Sequence, residues 1–377
     1  MNQVVGPEGA APQKAHTGSA VITGTRGRRP TIGDVARRAG VSNGAVSLVF
    51  GDRPGVGRAT AERIRAAAAE LGWVPNAGAR SLSSMRSYAV GIVLSRPAHL
   101  LAADPFFAGF IAGVEHVLAR HDYALLLRVV ESAEQEDHAY RSLVGGRRVD
   151  GFILTDTRWK DPRISLLSQL GVPTVALGPA GRSCPFPVVG PDDRRMTTEL
   201  VQHLIDLGHT RIAHVSGPLA YIHSRVRRTA WRAALRQAGL QPEAEVEGDF
   251  TAASGAAATV RLLRADDPPT AIFYGNDLMA IGGMSALTDN NLAVPGDVSI
   301  TGYSEINLAA YSSPGLTTVR RDLEVWGQTA TRALLEIIDG GQVPNQTHVA
   351  SELVIRASTG PAPKLSGLFE EQATGAL

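Results

Sequence analysis

The segment Thr31-Ile-Gly-Asp-Val-Ala-Arg-Arg-Ala-Gly-Val-Ser-Asn-Gly-Ala-Val-Ser-Leu-Val-Phe50 restricts what this chain can fold into more than any other. Thr31 with Asp34 three residues on forms an N-cap with an acidic partner, and Ile32, Val35, Ala36 and Ala39 make the apolar stripe of a first helix. Gly40 stops that helix, Val41 plugs the turn and Ser42 caps a second helix. Val46, Val49 and Phe50 fall on its inner face at spacings of three and four, which leaves Asn43, Gly44, Ser47 and Leu48 outward. A small Ala36 opposite a glycine-containing turn lets the two helices cross closely. That is helix-turn-helix geometry, which presents the second helix to a DNA major groove. After the turn-rich Gly51-Asp-Arg-Pro-Gly-Val-Gly57, a third helix is expected over Arg58 to Leu71, with Ile64, Ala67, Ala68 and Leu71 inward.

Charge agrees with that reading. Residues 1–88 hold 12 Lys/Arg against 5 Asp/Glu, and the remainder holds 25 against 31, so a net charge of +1 hides a basic module on a mildly acidic body. This asymmetry is the footprint of a nucleic-acid binder. One cysteine, Cys184, excludes an intrachain disulfide and fits a reducing compartment. No apolar run is long enough to span a bilayer, and Met1 to Thr25 lacks the pattern of a signal peptide, so the expected location is the cytoplasm. Residues 1–27 read as a disordered extension, and Arg26, Arg28 and Arg29 at its end suit phosphate contacts.

From Tyr88 onward strands alternate with helices. Strands are expected at Ala89–Leu94, Tyr123–Val130, Gly151–Thr155, Pro173–Leu177, Arg211–Val215, Ala271–Tyr274, Val298–Thr301 and Glu352–Arg356. Helices are expected at Phe107–Arg120, Glu134–Gly145, Arg194–Leu207, Arg225–Ala238, Leu278–Thr288 and Asp322–Ile338. Such a rhythm implies parallel sheets covered on both faces, and so many units imply two lobes.

Residues 31–82 closely resemble the DNA-binding headpiece of the LacI/GalR family of transcriptional regulators. The resemblance runs through T-I-x-D-V-A-R-x-A-G-V-S, V-S-x-V and A-A-A-E-L-G-W-x-P-N-A-x-A-R-S-L. Asp104-Pro-Phe-Phe107, Val149-Asp-Gly-Phe-Ile153, Leu207-Gly-His-Thr-Arg-Ile212, Asn276-Asp-Leu-Met-Ala-Ile-Gly282 and Leu316-Thr-Thr-Val319 extend it over the regulatory core, which in that family is built like periplasmic solute-binding proteins. The resemblance implies an all-α helix-turn-helix headpiece at 28–75, a hinge helix and linker at 76–86, a two-lobed α/β effector-binding and dimerisation core at 87–360 and a tail at 361–377. It places Thr31, Ser42, Asn43, Gly44, Ser47, Leu48, Asn76, Ala79 and Leu82 at the DNA, with Leu82 as a wedge in the minor groove. It puts Phe106, Phe107 and Phe250 on the walls of an effector cleft, with Arg227, Asn276 and Ser304 among its polar groups. The expected partners are a pseudo-palindromic operator, a second copy of the chain and a small-molecule effector, a sugar or related metabolite.

Departures from the family pattern are informative. Sugar-responsive relatives commonly carry Asp where this chain has Gly178 and Ser304, and carboxylates are good acceptors for vicinal hydroxyls. Glu305 could partly substitute. A phenylalanine beside a helix start is more often core than ligand wall, and Arg227 lies in Arg225-Val-Arg-Arg228, any member of which could face solvent. Neither an enzyme nor a cofactor or metal site is expected. No G-x-S-x-G, P-loop or G-x-G-x-x-G stands in the required strand-to-helix setting, and His116/His121 and His209/His214 are spaced by five rather than four. The competing function is a solute-binding protein of sugar-uptake type, for which residues 31–82 would have no use.

Overall fold

The structure, a computed structural model, describes residues 30–51, 53–74, 86–96, 105–181, 184–242 and 244–363. The basic arm through Arg29 and the expected hinge contacts Asn76, Ala79 and Leu82 lie outside the described residues. The chain divides into two units, residues 1–84 and 85–377.

In the first unit the three expected helices form: α1 (Ile32–Ala39), α2 (Asn43–Phe50) and α3 (Arg58–Leu71). The Thr31 amide and hydroxyl both donate to Asp34 Oδ2, at 2.8 and 2.7 Å, so the carboxylate holds the helix entrance. Gly40 takes a left-handed φ of 65°, and the Val41 N–H returns 3.0 Å to the Ala36 carbonyl, closing the C-terminus as a Schellman turn. Ser42 Oγ accepts the Ala45 N–H at 3.2 Å and starts α2. Val35, Ala36, Ala39, Val46, Val49, Ile64, Ala67 and Ala68 make the buried core, while Leu71 is only half-buried at its edge. Phe50 and Trp73 close that core in an edge-to-face pair 5.0 Å apart.

The second unit runs β1 (Ala89–Ser95), α4 (Phe106–Leu118), β2 (Ala124–Val130), α5 (Ala133–Gly145), β3 (Gly151–Leu154), α6 (Pro162–Leu170), β4 (Thr174–Leu177) and β5 (Val188–Gly190). It continues α7 (Asp193–Asp206), β6 (Ile212–Ser216), α8 (Ile222–Gln237), β7 (Glu245–Glu247), α9 (Ala252–Leu263), β8 (Ala271–Tyr274), α10 (Asp277–Asp289) and β9 (Ser299–Thr301). It ends α11 (Asn307–Tyr311), β10 (Thr318–Arg321), α12 (Leu323–Ile338), β11 (Gln346–His348) and β12 (Ser351–Val354). One lobe holds the parallel sheet β11-β5-β4-β3-β1-β2, and the other holds the parallel sheet β7-β6-β8-β9. Both lobes thus carry the expected parallel sheets; the last strands add an antiparallel pair, β10 with β12, and parallel bridges at Thr301–Thr317 and Ser304–Arg320 connect β10 and the residue before it to β9 and the loop after it.

Each lobe carries one helix pair packed at backbone contact. A Cβ at Gly113 on α4 would collide with the Glu324 carbonyl on α12, and one at Gly327 with the Phe110 carbonyl. In the other lobe Gly255 on α9 and Gly282 on α10 face the Met279 and Ala252 carbonyls in the same way. Some elements that the periodicity did not announce have local causes. The strands β5, β7 and β11 are three residues long, and α9 is nearly uniform alanine and glycine over its first half, with no apolar period to read.

Of the histidines weighed as metal ligands, His209 and His214 have structural partners. The ring nitrogens of His209 lie 3.0 Å from Thr270 Oγ1 and Ser299 Oγ, stitching the strand ends together. His214 is fully buried, stacked 4.5 Å from Phe273, with Nδ1 donating to the Phe273 carbonyl at 2.9 Å. Burial, helped by the neighbouring Arg227, pushes His214 down to about 3 from its ordinary 6.5. A folded pKa below the unfolded one means that the unfolded chain binds the extra proton as pH falls. Stability should therefore be fully present above about pH 6.5 and decline on acidification toward about pH 3. Urea midpoints of the core transition at pH 7.5, 6.5 and 5.5 should fall in that order, with a shallower slope in His214→Phe. A midpoint that is flat or rises as pH drops from 6.5 to 5.5 would contradict this account.

Candidate DNA-reading surface and effector cleft

On the headpiece, Thr31, Ser42, Asn43, Gly44 and Ser47 are exposed, and the N-termini of α1 and α2 share one face, with Gly33 lying between Thr31 Oγ1 and Asn43 Oδ1. Leu48 is half-buried: its Cδ1 packs against Gly55 of the following loop, whose Arg53 N–H donates 2.9 Å to the Leu48 carbonyl. Arg58 projects into solvent at the start of α3, its side chain 94% exposed, and its Nε donates to Glu62 one turn on at 3.1 Å. Several other arginines of the unit are tied to its own acids or backbone. Arg37 pairs with Asp34, Arg38 with Glu70 at 2.7 Å, and Arg63 Nε donates 2.9 Å to the Ala39 carbonyl. The face that could enter a groove is thus small, polar and weakly charged, with α2 held by its cap at one end and Val46 and Val49 beneath.

In the second unit a cleft of about 830 Å³, counted out to its open mouth, lies at the carboxyl ends of the strands of both lobes. Arg96 follows β1, Asp156 follows β3, Gly178 follows β4, Asn276 follows β8, Ser304 follows β9, and Arg321 ends β10; all line it. The backbone is strained where these residues turn in: Asp156, Phe250 and Ser304 have φ of 50°, 73° and 131°. Non-glycine residues hold such values only where the surroundings enforce them, as they do at ligand sites.

The phenylalanines divide. Phe106 lines the cleft between Trp326 and Phe110, with ring centroids 5.4 and 5.6 Å away. Phe250 lines it from the other lobe, pressed on Gly217 and stacked with His223 at 5.7 Å. Phe107 departs from its expectation as a wall. It points into the core beneath β1, 4% exposed and outside the cleft lining, because a helix that begins at Phe106 turns adjacent residues about 100° apart.

The polar residues are engaged from the protein side. Arg227 is buried, not solvated: Nη2 and Nε donate to Asp193 Oδ1 at 3.1 and 3.3 Å, Nη1 donates to the Gly275 carbonyl at 2.8 Å, and the guanidinium lies 3.8 Å from the Tyr303 ring centroid. Tyr303 donates its hydroxyl to the same Asp193 oxygen at 2.6 Å. Burial disfavours the Asp193 anion, but Arg227 and Arg321 more than offset this and hold its carboxyl below the ordinary range. Asp156 behaves alike, with Arg96 donating from Nε and Nη2 at 2.7 and 2.8 Å. Asp277 is pushed upward by burial despite bonds from Thr318 and the Ile306 N–H. Asn276 caps α10 through Met279 N–H at 3.0 Å and donates 2.9 Å to the Phe250 carbonyl, so it positions that aromatic wall. Burial and Arg227 push His223 down to about 3, which leaves a neutral imidazole facing the cleft. Glu305 does not replace a missing aspartate. It turns away into ion pairs with Arg320 and Arg356 and is not part of the lining.

Arg96, Asp156, Asp193, His223, Arg321 and Trp326 did not emerge as candidates from the sequence. Their signal was topological, since charged or aromatic residues just past the end of a parallel strand, or at the start of the next helix, are where such sheets place ligands. Among the described residues no group of three or more His, Cys, Asp or Glu is arranged to hold a metal ion, and no helix is long and apolar enough to cross a membrane.

Comparison with known proteins places the chain in a family. Residues 31–76 match the model of bacterial regulatory proteins of the lacI family, and residues 201–359 match that of a periplasmic binding protein-like domain. The chain is 35% identical over 317 residues to the ribose operon repressor of Escherichia coli K12, covering 82% of this chain and 93% of that protein. It superposes on the lac repressor dimer bound to operator and the anti-inducer ONPF with a TM-score of 0.77 at 31% identity, covering 88% of this chain and all of that one. The complex of the transcriptional regulator CelR with cellobiose gives a TM-score of 0.67 at 32% identity, with the same coverage. With a capped helix-turn-helix unit and a two-lobed parallel core in one polypeptide, the chain belongs to the LacI family of DNA-binding transcriptional regulators.

Proposed function

We propose that the chain is a homodimeric repressor whose paired headpieces hold a pseudo-palindromic operator and whose hold is set by a small molecule in the cleft between the lobes. The observation that carries this reading is the presence, in one chain, of an exposed capped recognition helix and of a strained cleft lined by aromatic and charged side chains. In this reading Thr31, Ser42, Asn43, Gly44, Ser47 and Leu48 meet the major groove, Asn76, Ala79 and Leu82 meet the minor groove, and Leu82 is the wedge. Phe106 and Phe250 sandwich the effector, while Arg227, Asn276 and Ser304 orient it. The relatives named for ribose and cellobiose support a sugar or a metabolite derived from one. A solute-binding protein of an uptake system would need the core alone, so the headpiece speaks against that function.

An inducer must bind the DNA-free form more tightly than the operator-bound form, because equal affinity shifts nothing; a corepressor must do the reverse. A salt-dependent specific complex with DNA upstream of the protein's own gene is the expected result in a mobility-shift titration, and its absence would overturn the repressor reading. Leu82→Ala should weaken that complex and abolish DNA bending, and a bend that survives unchanged would remove Leu82 from the minor groove.

Arg227→Ala should abolish the effector response while operator binding is retained. Because it strands Asp193, it should also cost the core about 3–5 kcal/mol, so the companion variant Arg227→Lys separates lost response from lost folding. An undiminished effector response in both variants would take Arg227 out of the effector site.

A further inference from the structure

If the cleft is the effector site, its hydrogen-bond inventory says what kind of effector it takes. A neutral sugar offers many hydroxyl donors and is best met by free carboxylates. Here the lining carboxylates already serve protein donors. Asp156 receives Arg96 on both oxygens, Asp193 Oδ1 receives Tyr303 and Arg227, and Asp277 receives Thr318 on Oδ1 and the Ile306 N–H on Oδ2. Gly178 at the cleft wall has no side chain to contribute.

The donors are less fully spent. Arg321 reaches the cleft from the end of β10, and among the described residues no carboxylate forms an ion pair with it. Its Nη2 donates to Ser304 Oγ, and its Nε is buried with no hydrogen-bond partner among the described residues. The guanidinium stands among aromatic rings, with the centroids of Tyr303, Trp326 and Phe106 at 5.4, 5.5 and 6.0 Å. These rings shield it from water without neutralising it. Burial and the nearby Arg227 depress its pKa, the direction expected of a cation short of a counter-ion. Leaving a buried charged donor unpaired is costly, and a planar guanidinium is best satisfied by a carboxylate or phosphate that accepts two bonds at once.

We propose that Arg321 is the anion anchor of the cleft, and that the effector is a small metabolite bearing a carboxylate or phosphate. Its hydroxylated or apolar remainder lies against Phe106, Phe250 and Trp326. Ser304 supports this arrangement by accepting from Arg321 without neutralising it, as an aspartate at that position would. The inference rests on the cleft being the effector site, and its test separates the two.

The full chain is titrated by calorimetry and thermal shift with matched compounds: D-glucose, D-gluconate, D-glucuronate and D-glucose 6-phosphate, then D-ribose and D-ribose 5-phosphate. At least one anionic member should bind about tenfold or more tightly than its neutral parent and alter operator binding. Whether the acids or the phosphates respond identifies the anionic group. Arg321→Gln should bring anionic and neutral partners to within about threefold of each other, and Arg321→Lys should keep part of the preference because it keeps the charge but not the fork. Neutral parents that bind as well as the anions, or a preference that survives Arg321→Gln, overturn the inference and leave the cleft standing as an effector site. No response to any member also overturns it, and operator binding by the unliganded chain then decides independently whether the repressor reading holds.

Discussion

The core is built around one carboxylate. Asp193 opens α7, yet its Oδ1 receives Arg227 from α8 and Tyr303 from the loop after β9, and Arg227 continues to the Gly275 carbonyl at the end of β8. Through that oxygen four separate segments are brought to one point at the cleft floor. Such a buried ion pair contributes little net stability over an apolar replacement, but removing either partner is expensive because the other charge is stranded. Its value here is positional. Arg227 and Tyr303 are held in place by the protein's own bonds.

The same economy explains why the cleft is strained and nearly self-satisfied. Asp156, Phe250 and Ser304 occupy left-handed backbone that costs roughly 1–3 kcal/mol each and persists only because surrounding structure fixes it. Asn276 fixes Phe250 by donating to its carbonyl, and Gly217 leaves room for the ring. A wall set this firmly can respond to a ligand only by moving with its lobe. The glycine-to-carbonyl contacts of α4 with α12 and of α9 with α10 make each lobe stiff enough for that, since helices at backbone contact have no side-chain layer to yield.

Much of the fold was legible because hydrophobic periodicity and caps are local. Thr31 with Asp34, Gly40 and Ser42 each decide one helix end, and all three behave as their residue types dictate. The strand-helix rhythm of the core was legible for the same reason, with element ends displaced by up to three residues, as where the helix expected from Arg225 begins at Ile222. What was not legible depends on partners distant in sequence. β10 and β12 pair antiparallel because the chain turns back after α12, and no pattern within Thr318–Arg321 announces that. Phe107 and Arg227 illustrate the limit for sites. One residue decides whether a phenylalanine beside a helix start faces the cleft or the core, and the three arginines of Arg225–Arg228 look alike until the helix is placed against Asp193. Arg321 was hidden because its meaning is a cleft-facing guanidinium with no carboxylate in direct ion pair among the described residues, which only three dimensions reveal.

The headpiece and the cleft depart from the ordinary in opposite senses. The recognition face of α2 offers Asn43, Gly44 and Ser47, short side chains that reach little way into a groove, and Leu48 is half covered by Gly55. Leucine can touch a thymine methyl but cannot form the bidentate pair that arginine makes with guanine. A face with this little reach reads few bases directly, and DNA deformability is the route by which sequence preference arises without base contacts.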